Sequence, residues 1–478
     1  MTFEIEGLAV WLPGRGVAVG PVSFSVDGVT VLTGRSGAGA SVVADVLGDA
    51  LPRAALVRGT WSQHVTIHHV GGVRLDPTLD VTVAQALGSN GALAARLWRE
   101  VTGQEDLRVR ARTLDPATAA VLPALHGVIR SRATRAEGTP TLLVLDQPLT
   151  HLTPSLRRAL AETVRACADS GVDVCWIEHD LAVAVPHADT VVEFLEGQGP
   201  AVQAGATWTP RTLPLPPEAA LARALGAPRA AWWDLAGLGA HPEVRSAVPT
   251  RGAAPARDAT ATSVSPGRSG LPWPVEVVAG ETLGIVPADG DRSTALAVAA
   301  RLAATTDGEA RPRPRLSWPD HVALGRLVTA WCRAHGGDPA AVLAEAGRLA
   351  VVDPARTLRQ HSTGECRAVA WALGTASGRT EVLDQPEAGL DAHGRRVLAS
   401  ALAERDASTA VLLVSHDAEL LVRACHRLLV LPPAGSGPDG AAVLGPPALV
   451  ADRLPQPPAL RRAGSRALRV ADVLRESR

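Results

Sequence analysis

The sequence predicts an α/β protein with two tandem domains, each built around a largely parallel sheet, and three observations support this. The tripeptide Asp-Gln-Pro closes an apolar run twice, at 146–148 and 384–386. A His-Asp pair begins 33 and 32 residues after the two aspartates, at 179–180 and 416–417. A candidate phosphate loop precedes each copy. The copies lie 238 residues apart in a chain of 478, so the repeat is a duplicated domain rather than a solenoid unit.

The first half alternates strand and helix patterns. Residues 3–32 alternate apolar and polar positions between turn-forming residues, as strands joined by hairpins do. The segment 80–135 is predicted to be mainly helical. Further strands are predicted at Val29–Thr33, Thr141–Leu145 and Val172–Ile177, and further helices from Ser41 and at Pro154–Asp169. Strands that alternate with helices favour a parallel sheet.

The second half repeats this order, and composition marks the borders. Strands are predicted at Thr282–Val286, 381–383 and 410–414, with a helix from Ser293 and a helical region up to 376. Residues 243–270 are rich in Ala, Pro, Arg, Ser and Thr, which predicts a mobile insertion. The predicted parts are a first domain at 1–208, a Pro-rich linker at 209–228, a second domain at 229–450, and a polar tail at 451–478 with a short helix at 465–476.

Composition narrows the classes of function. The net charge is −1, so no global electrostatic attraction to nucleic acid is expected. No apolar run reaches the length of about 18 residues that a transmembrane helix needs. The N-terminal residues lack the basic and apolar regions of a secretory signal. The five cysteines have no C-x-x-C spacing, which favours free thiols in a reducing cytosol.

The first candidate phosphate loop, Gly34–Ser41, has the sequence GRSGAGAS. It matches G-x-x-x-x-G-K-[ST], except that Ala40 takes the lysine position. Glycines let backbone N–H groups converge on phosphate oxygens, and the N-terminus of the following helix adds a favourable field. The Ser41 hydroxyl is suited to Mg²⁺. All 47 Lys and Arg residues of the chain are arginines, so no lysine can replace the lost charge.

The second candidate loop, Gly284–Thr294, is degenerate. Arg292 takes the lysine position, but Asp289 and Asp291 stand where glycines belong. Carboxylates repel phosphate and do not adopt the backbone angles of glycine without strain. We therefore expect this loop to be structural.

These motifs together resemble the ATP-binding cassette (ABC) family over both halves of the chain. The resemblance implies two cassettes, each with a phosphate-loop core sheet, an antiparallel β subdomain and a helical subdomain. The segment 361–365, His-Ser-Thr-Gly-Glu, is similar to the family signature that caps ATP on the opposite domain. The segment 388–391 is similar to the D-loop, whereas its counterpart at 150–153 is a poor match. The segment 114–118, near the place of the first signature, does not match it.

The resemblance implies a set of site residues in each half. Because ABC domains pair head to tail, site one would join the first loop to the second-half signature, and site two the reverse. The implied catalytic residues are Gln147, His179, Gln385 and His416. The implied nucleotide contacts are Trp11, Gly34, Ser36, Gly37, Ala38, Gly39, Ala40, Ser41, Gly290, Arg292, Ser293, Thr294, Ser362, Gly364 and Glu365. The implied Mg²⁺ ligands are Ser41, Asp146, Ser293 and Asp384. Trp11 fits equally well as a core residue of the first strand.

Weak or absent hydrolysis is expected despite this architecture. The family places glutamate after the Walker B aspartate, to polarise the attacking water. Both positions carry glutamine here, Gln147 and Gln385, and an amide cannot act as a base near neutral pH. Neither Walker A lysine is present. We expect site one to be the better preserved of the two.

Within the family, the chain resembles the oligopeptide, dipeptide and nickel importers, where fused two-cassette subunits occur. The segments that carry this resemblance are 41–48, 75–83, 280–286 and 327–337. It implies a subunit that binds ATP and Mg²⁺, and that lies on the cytoplasmic face of the plasma membrane. Its partners would be membrane permease subunits and a substrate-binding protein, with no nucleic acid. The alternative is a non-catalytic scaffold or regulator governed by nucleotide occupancy. A translation or DNA-repair cassette is disfavoured, because the linker is short and zinc-binding cysteines are absent.

Overall fold

The computed structural model describes residues 2–13, 16–71, 80–89, 91–195, 198–229, 232–233, 262–264, 275–287, 292–307, 319, 321–361, 363–375, 381–404, 410–432 and 442–454. The chain divides into two compact units, Met1–Leu215 and Pro216–Arg478. The border falls inside the segment 209–228. In the described part of the chain, no helix has both the length and the apolar character to cross a membrane.

Unit 1 contains two sheets in its described residues. Its strands are β1 Phe3–Leu12, β2 Gly16–Val26, β3 Val29–Gly34, β4 Leu56–Trp61, β5 Thr66–Val70, β6 Thr141–Asp146, β7 Asp173–Ile177, β8 Thr190–Phe194 and β9 Ala201–Ala204. An antiparallel sheet has the order β2-β1-β4. The core sheet has the order β5-β6-β7-β3-β8-β9 and is parallel except at β9.

The helices of unit 1 precede or connect these strands. They are α1 Ala40–Leu47, α2 Val83–Ala86, α3 Ala92–Thr102, α4 Pro116–Ala120, α5 Leu122–Ala136, α6 Pro154–Asp169 and α7 Leu181–Ala184. Short 3₁₀ turns occupy Ala111–Thr113, Val185–His187 and Gly205–Thr207. α1 packs between the two sheets, where buried Val43 and Leu47 join the same core as Phe3 and Val144. The phosphate loop is thus fixed between a buried strand and a buried helix.

Unit 2 repeats the core sheet in its described residues. Its strands are β10 Thr262–Val264, β11 Thr282–Val286, β12 Glu381–Asp384, β13 Val411–Val414, β14 Arg427–Val430 and β15 Ala442–Gly445. Their order is β10-β15-β14-β11-β13-β12. The run β12-β13-β11-β14-β15 corresponds to β6-β7-β3-β8-β9 of unit 1, with the same parallel and antiparallel pairings. The duplication predicted from the motifs is therefore a duplication of the sheet.

The helices of unit 2 flank this sheet. They are α8 Pro217–Ala224, α9 Arg292–Asp307, α10 Leu324–His335, α11 Pro339–Leu349, α12 Thr363–Thr375, α13 Ala392–Ala403, α14 Ala418–Ala424 and α15 Pro447–Val450. 3₁₀ turns lie at Leu358–Gln360 and Ala451–Arg453. Helices α10 to α12 enclose an apolar cluster with Leu324, Val328, Ala346 and Trp371.

The tandem α/β prediction is confirmed, and most element bounds agree within two residues. The segment 262–264 is an exception, because it lay in the predicted insertion yet forms β10, antiparallel to β15. The alternation of Thr262, Ser263 and Val264 is too short to predict a strand, and the exposed edge of β15 selects it. Most of 243–270, and 455–478 of the tail, lie outside the described residues.

Candidate functional site

The phosphate loop of unit 1 runs between β3 and α1. Its glycines Gly34, Gly37 and Gly39 have φ of 155°, 92° and 107°, which other residues rarely adopt. A Cβ at Gly39 would lie 2.7 Å from the carbonyl oxygen of Ala18, on the antiparallel sheet. Ala40, in the lysine position, is the first residue of α1 and is buried. The backbone needed for a phosphate cradle is present, although the lysine is not.

Ser41 and Asp146 come together at the mouth of this loop. Ser41 lies in the first turn of α1, and Asp146 ends β6, next to the strand that ends at Ile177. The Ser41 Oγ donates a hydrogen bond to Asp146 Oδ1 at 3.1 Å. Burial raises the pKa of Asp146 to about 7, and the charges of Asp45 and Glu178 raise it further against the Ser41 hydrogen bond. The two expected Mg²⁺ ligands of site one are therefore adjacent.

Asp45 is a site neighbour that the sequence analysis missed. It lies four residues after Ser41, one turn along α1 and therefore on the same face. Burial raises its pKa to about 6. Its spacing from Ser41 was the available signal, but the helix had to be packed before Asp45 could be seen to face Asp146.

The two glutamines that replace the family glutamates share one backbone conformation. Gln147 and Gln385 have φ of 51° and 45°. Their N–H groups donate to the carbonyls of Ile177 and Val414, at 2.9 and 2.8 Å. The loop after the first strand is thereby tied to the start of the histidine loop in each unit. His179 is half-buried and His416 is buried, each two residues past its strand.

The second-unit site is closed by an ion pair. The guanidinium of Arg292, at the start of α9, grips Asp384 in a bidentate arrangement. Its Nε donates to Asp384 Oδ1 at 2.7 Å. Arg292 was expected to contact nucleotide and Asp384 to hold Mg²⁺ with Ser293. The structure instead pairs them, because a guanidinium fork matches both oxygens of a carboxylate.

The D-loop region is alike in both units, although the first copy matched the family poorly. His151 and Gly389 have φ of 69° and 78°. Arg157 and Arg395 each donate Nε to the next carbonyl, of Leu152 and Leu390, at 3.1 Å. The same arginines pair with the aspartate after each histidine, Asp180 at 3.0 Å and Asp417 at 3.8 Å. The sequence mismatch therefore hid a common geometry.

The second-half signature opens a helix, as expected, but its residues face inward. α12 begins at Thr363, and a Cβ on Gly364 would collide with the carbonyl of Gly389 in the same unit. Glu365 is 1% exposed, which contradicts its expected role as a contact to a nucleotide outside the unit. Helix packing buried it, since Glu365 lies on the face of α12 toward the core. Ser362 and Gly290 lie outside the described residues.

The failed first signature has an ordinary structural role. The carboxylate of Asp115 accepts from the N–H groups of Ala117 and Thr118, at 3.0 and 2.9 Å, and caps α4.

Trp11 lies on β1 and is half-buried. The guanidinium carbon of Arg58, on the neighbouring β4, lies 5.5 Å from the centroid of its ring. Trp11 pairs with Val17 on β2 and Leu56 on β4. Its position combines both expectations, since one part packs on the sheet and another is open beside the phosphate-loop subdomain.

The residues of unit 1 fit a magnesium nucleotide, and those of unit 2 do not. In unit 1 the Ser41 hydroxyl and the Asp146 carboxylate can share one cation, and the glycine backbone leaves room for phosphate. In unit 2 the carboxylate is saturated by Arg292. A cation there would have to displace a guanidinium that is 13% exposed.

Comparison with known proteins supports the fold. No protein-family model matches the chain, and no curated protein matches its sequence. A chain in the structure "Model of ribosome-bound archaeal Pelota and ABCE1" matches with a TM-score of 0.60 at 16% identity, over 93% of this chain and 80% of that one. The complex of archaeal ribosomal stalk protein aP1 and ribosome recycling factor aABCE1 matches with a TM-score of 0.52 at 15% identity, over 92% and 90%. "RNase-L Inhibitor" matches with a TM-score of 0.51 at 15% identity, over 90% and 88%.

The chain thus has the fold of tandem ABC ATPases along most of its length. The expected partners, membrane permeases and a substrate-binding protein, are contradicted by these comparisons. The structures that share both units are titled as ribosome-associated proteins, not as transporter subunits. The importer-like segments misled because local motifs are common to cassettes with different partners.

Proposed function

We propose that this protein is a non-catalytic tandem cassette protein that binds one Mg-ATP, in unit 1, and regulates a partner through the occupancy of that site. The second unit serves as a fixed structural copy. In unit 1, Ser41 and Asp146 would hold Mg²⁺, and the backbone of Gly34–Ala40 would hold the phosphates. When bound, Mg²⁺ would neutralise phosphate charge there.

One contrast carries the proposal. In unit 1 the Walker B carboxylate of Asp146 meets only a serine hydroxyl in the phosphate loop, at 3.1 Å. In unit 2 the equivalent Asp384 is gripped by Arg292. A hydroxyl can ligate the same cation as the carboxylate, whereas a guanidinium excludes it. Nucleotide would therefore enter one unit only.

Binding without turnover follows from the groups that are missing in unit 1. Ala40 provides no cation for the outer phosphates, and Gln147 provides an amide in place of a carboxylate. Gln147 can orient a water molecule but cannot take its proton. The occupied state would persist, as suits a switch rather than a motor.

The scaffold or regulator is favoured over the importer subunit that the sequence motifs suggested. The importer hypothesis needed permease partners and a power stroke. The first is contradicted above, and the second needs the missing catalytic groups.

Isothermal titration with Mg-ATP tests the proposal. We expect a stoichiometry of about one nucleotide per chain for the wild type. Asp146→Ala should abolish Mg²⁺-dependent binding, while Asp384→Ala, the matched change in unit 2, should leave it within about twofold. Two equal sites, or loss of binding only in Asp384→Ala, would refute the assignment.

A ribosomal partner is a second candidate, supported by two fold neighbours with ribosomal names in their titles. Sucrose-gradient sedimentation of the protein with ribosomes, with and without Mg-ATP, tests it. Nucleotide-dependent co-sedimentation that Asp146→Ala removes would support this partner. The same absence of co-sedimentation with and without nucleotide would reject it.

A further inference from the structure

Each unit contains one buried glutamate between two loops that leave neighbouring strands. We call residues 147–153 and 385–391 the Gln loops, and residues 178–180 and 415–417 the His loops. The Gln loops follow β6 and β12, and the His loops follow β7 and β13. The loops carry the glutamines and histidines of the two sites.

In unit 1 the glutamate belongs to the His loop. Glu178 is 3% exposed. Its Oε1 accepts from the N–H groups of His179 at 2.8 Å and Asp180 at 3.1 Å. Its Oε2 accepts from the N–H of Leu149, in the Gln loop, at 3.4 Å. One carboxylate thus spans both loops.

In unit 2 the glutamate belongs to the Gln loop. Glu387 is 5% exposed, and its Oε1 accepts from Ser415 Oγ, in the His loop, at 2.6 Å. The same Ser415 Oγ accepts from the N–H of Asp417 at 2.9 Å. The carboxylate again joins the two loops, now from the opposite side and through a hydroxyl.

The two contacts occupy equivalent positions. Counted from Asp-Gln-Pro, Glu387 corresponds to Leu149. Counted from His-Asp, Ser415 corresponds to Glu178. One member of each facing pair is a glutamate and the other is not, so the carboxylate has changed sides while the contact stayed. The Arg157–Asp180 and Arg395–Asp417 pairs tie the same loops and are common to both units.

We propose that Glu178 and Glu387 are equivalent positioning residues, each holding its Gln loop against its His loop, and that the carboxylate can be exchanged between the facing positions. Glu178 acts on Gln147 and His179 through the backbone of Leu149 and His179. Losing the carboxylate would leave buried N–H groups unpaired, and a second carboxylate would face the first in a buried contact. Exactly one is therefore required, on either side.

Hydrogen exchange of the two loops, with three variants of unit 1, tests the exchange directly. Glu178→Ser and Leu149→Glu should each raise amide exchange of peptides covering 147–152 and 178–183 by about tenfold or more. The double variant copies unit 2 and should return exchange to within about twofold of wild type, a coupling that independent sites do not show. Glu137→Ser, at an exposed site of the same unit, is the control and should change nothing.

The reciprocal variants in unit 2 are Glu387→Leu, Ser415→Glu and their combination. The same pattern of two harmful single changes and one tolerated double change is expected in peptides covering 385–391 and 415–420. Additive effects in both units, or unchanged exchange in Glu178→Ser, would overturn the proposal. Should Glu178→Ser not fold, Glu178→Gln keeps the shape and supplies the single-variant arm.

A nucleotide measurement separates positioning from simple stability, and this arm rests on the proposed function. Glu178→Ser should weaken Mg-ATP binding by about tenfold under conditions where the protein stays folded, and the double variant should restore it. The unit 2 variants should not alter binding. A wild type that binds no Mg-ATP would sink the proposed function while leaving the exchange result to decide this inference.

Discussion

Asp146 sits among carboxylates, and this sets the pH range of its site. Burial raises its pKa to about 7, with the charges of Asp45 and Glu178 adding to the effect. Holding Mg²⁺ requires the ionised form. A site of this kind is open to metal in alkaline solution and is lost to protons in acid.

Mg²⁺-dependent nucleotide binding should therefore weaken as pH falls through about 7, by up to about tenfold per pH unit below it. Asp45→Asn removes a neighbouring negative charge, lowers the pKa of Asp146 and moves the midpoint to lower pH. Dissociation constants for Mg-ATP measured across this range check both results. The titration of ATP itself cancels when the two proteins are compared at each pH. An unchanged midpoint in Asp45→Asn would contradict the coupling.

Asp45 also gives a sign to stability. Its folded-state pKa of about 6 lies above the model value of 3.8, so the folded chain holds a proton that the unfolded chain has released between these values. The resulting stabilisation is full below the lower value and is lost as pH rises through the higher one. Asp45→Asn should consequently stabilise unit 1 near neutral pH and have little effect in acid, measured by urea unfolding.

The two chemical losses of site one lie at single residues. Ala40→Lys together with Gln147→Glu should restore measurable ATP hydrolysis, while each change alone should do much less, because residues that act as a unit are not additive. Phosphate release is the measurement. The matched pair Arg292→Lys with Gln385→Glu should stay inactive, since Asp289 and Asp291 remain in its loop. Recovery in unit 2 only would show that the better site was misassigned.

At the scale of elements, α9 and β12 are joined by the Arg292–Asp384 pair. Removing one partner leaves a half-buried charge uncompensated, whereas replacing both with apolar residues of similar volume removes the need for the pair. The pair thus substitutes for the cation that a working phosphate loop would recruit.

Arg292→Ala should cost about 2 kcal/mol of the free energy of unfolding of unit 2, less than a fully buried pair because Asp384 keeps some exposure. Arg292→Met with Asp384→Leu should recover most of it. Arg301→Ala, at an exposed position of the same helix, is the control. Equal effects of Arg292→Ala and Arg301→Ala in denaturant unfolding would show that the pair contributes nothing.

At the scale of the whole molecule, the duplicated sheet has kept its topology while the chemistry of its two sites has diverged. Unit 1 retains a glycine cradle and an accessible carboxylate, and unit 2 has replaced ligand contacts by internal ones. This asymmetry makes one unit the sensor and the other the support in the proposed function.

ATP turnover by the intact protein should be indistinguishable from background. Loss of one charge-stabilising donor alone costs roughly 3 to 4 kcal/mol, a factor of about 10² to 10³, and site one also lacks its water-polarising carboxylate. Phosphate release with and without Asp146→Ala is the measurement. Robust hydrolysis that Asp146→Ala abolishes would make this protein a working ATPase.

The sequence by itself determined the duplication, the strand ends and the phosphate loop of unit 1. Asp146 and His179 were found because parallel strands end at one edge of a sheet, so motifs that close buried strands meet there. Gly34–Ser41 was found because its backbone requirements are local and are written in glycines. These features depend on short segments and on a periodicity that is visible in the chain.

Only the tertiary structure decided the contacts between segments far apart in the chain. Arg292 looked like a ligand of phosphate until it was placed against Asp384, and Glu365 like an outward contact until α12 was packed. The exchange of Glu178 and Glu387 is invisible to alignment, since each glutamate faces a different residue type. Side-chain partners depend on which faces meet when helices and sheets pack, and no local pattern specifies that meeting.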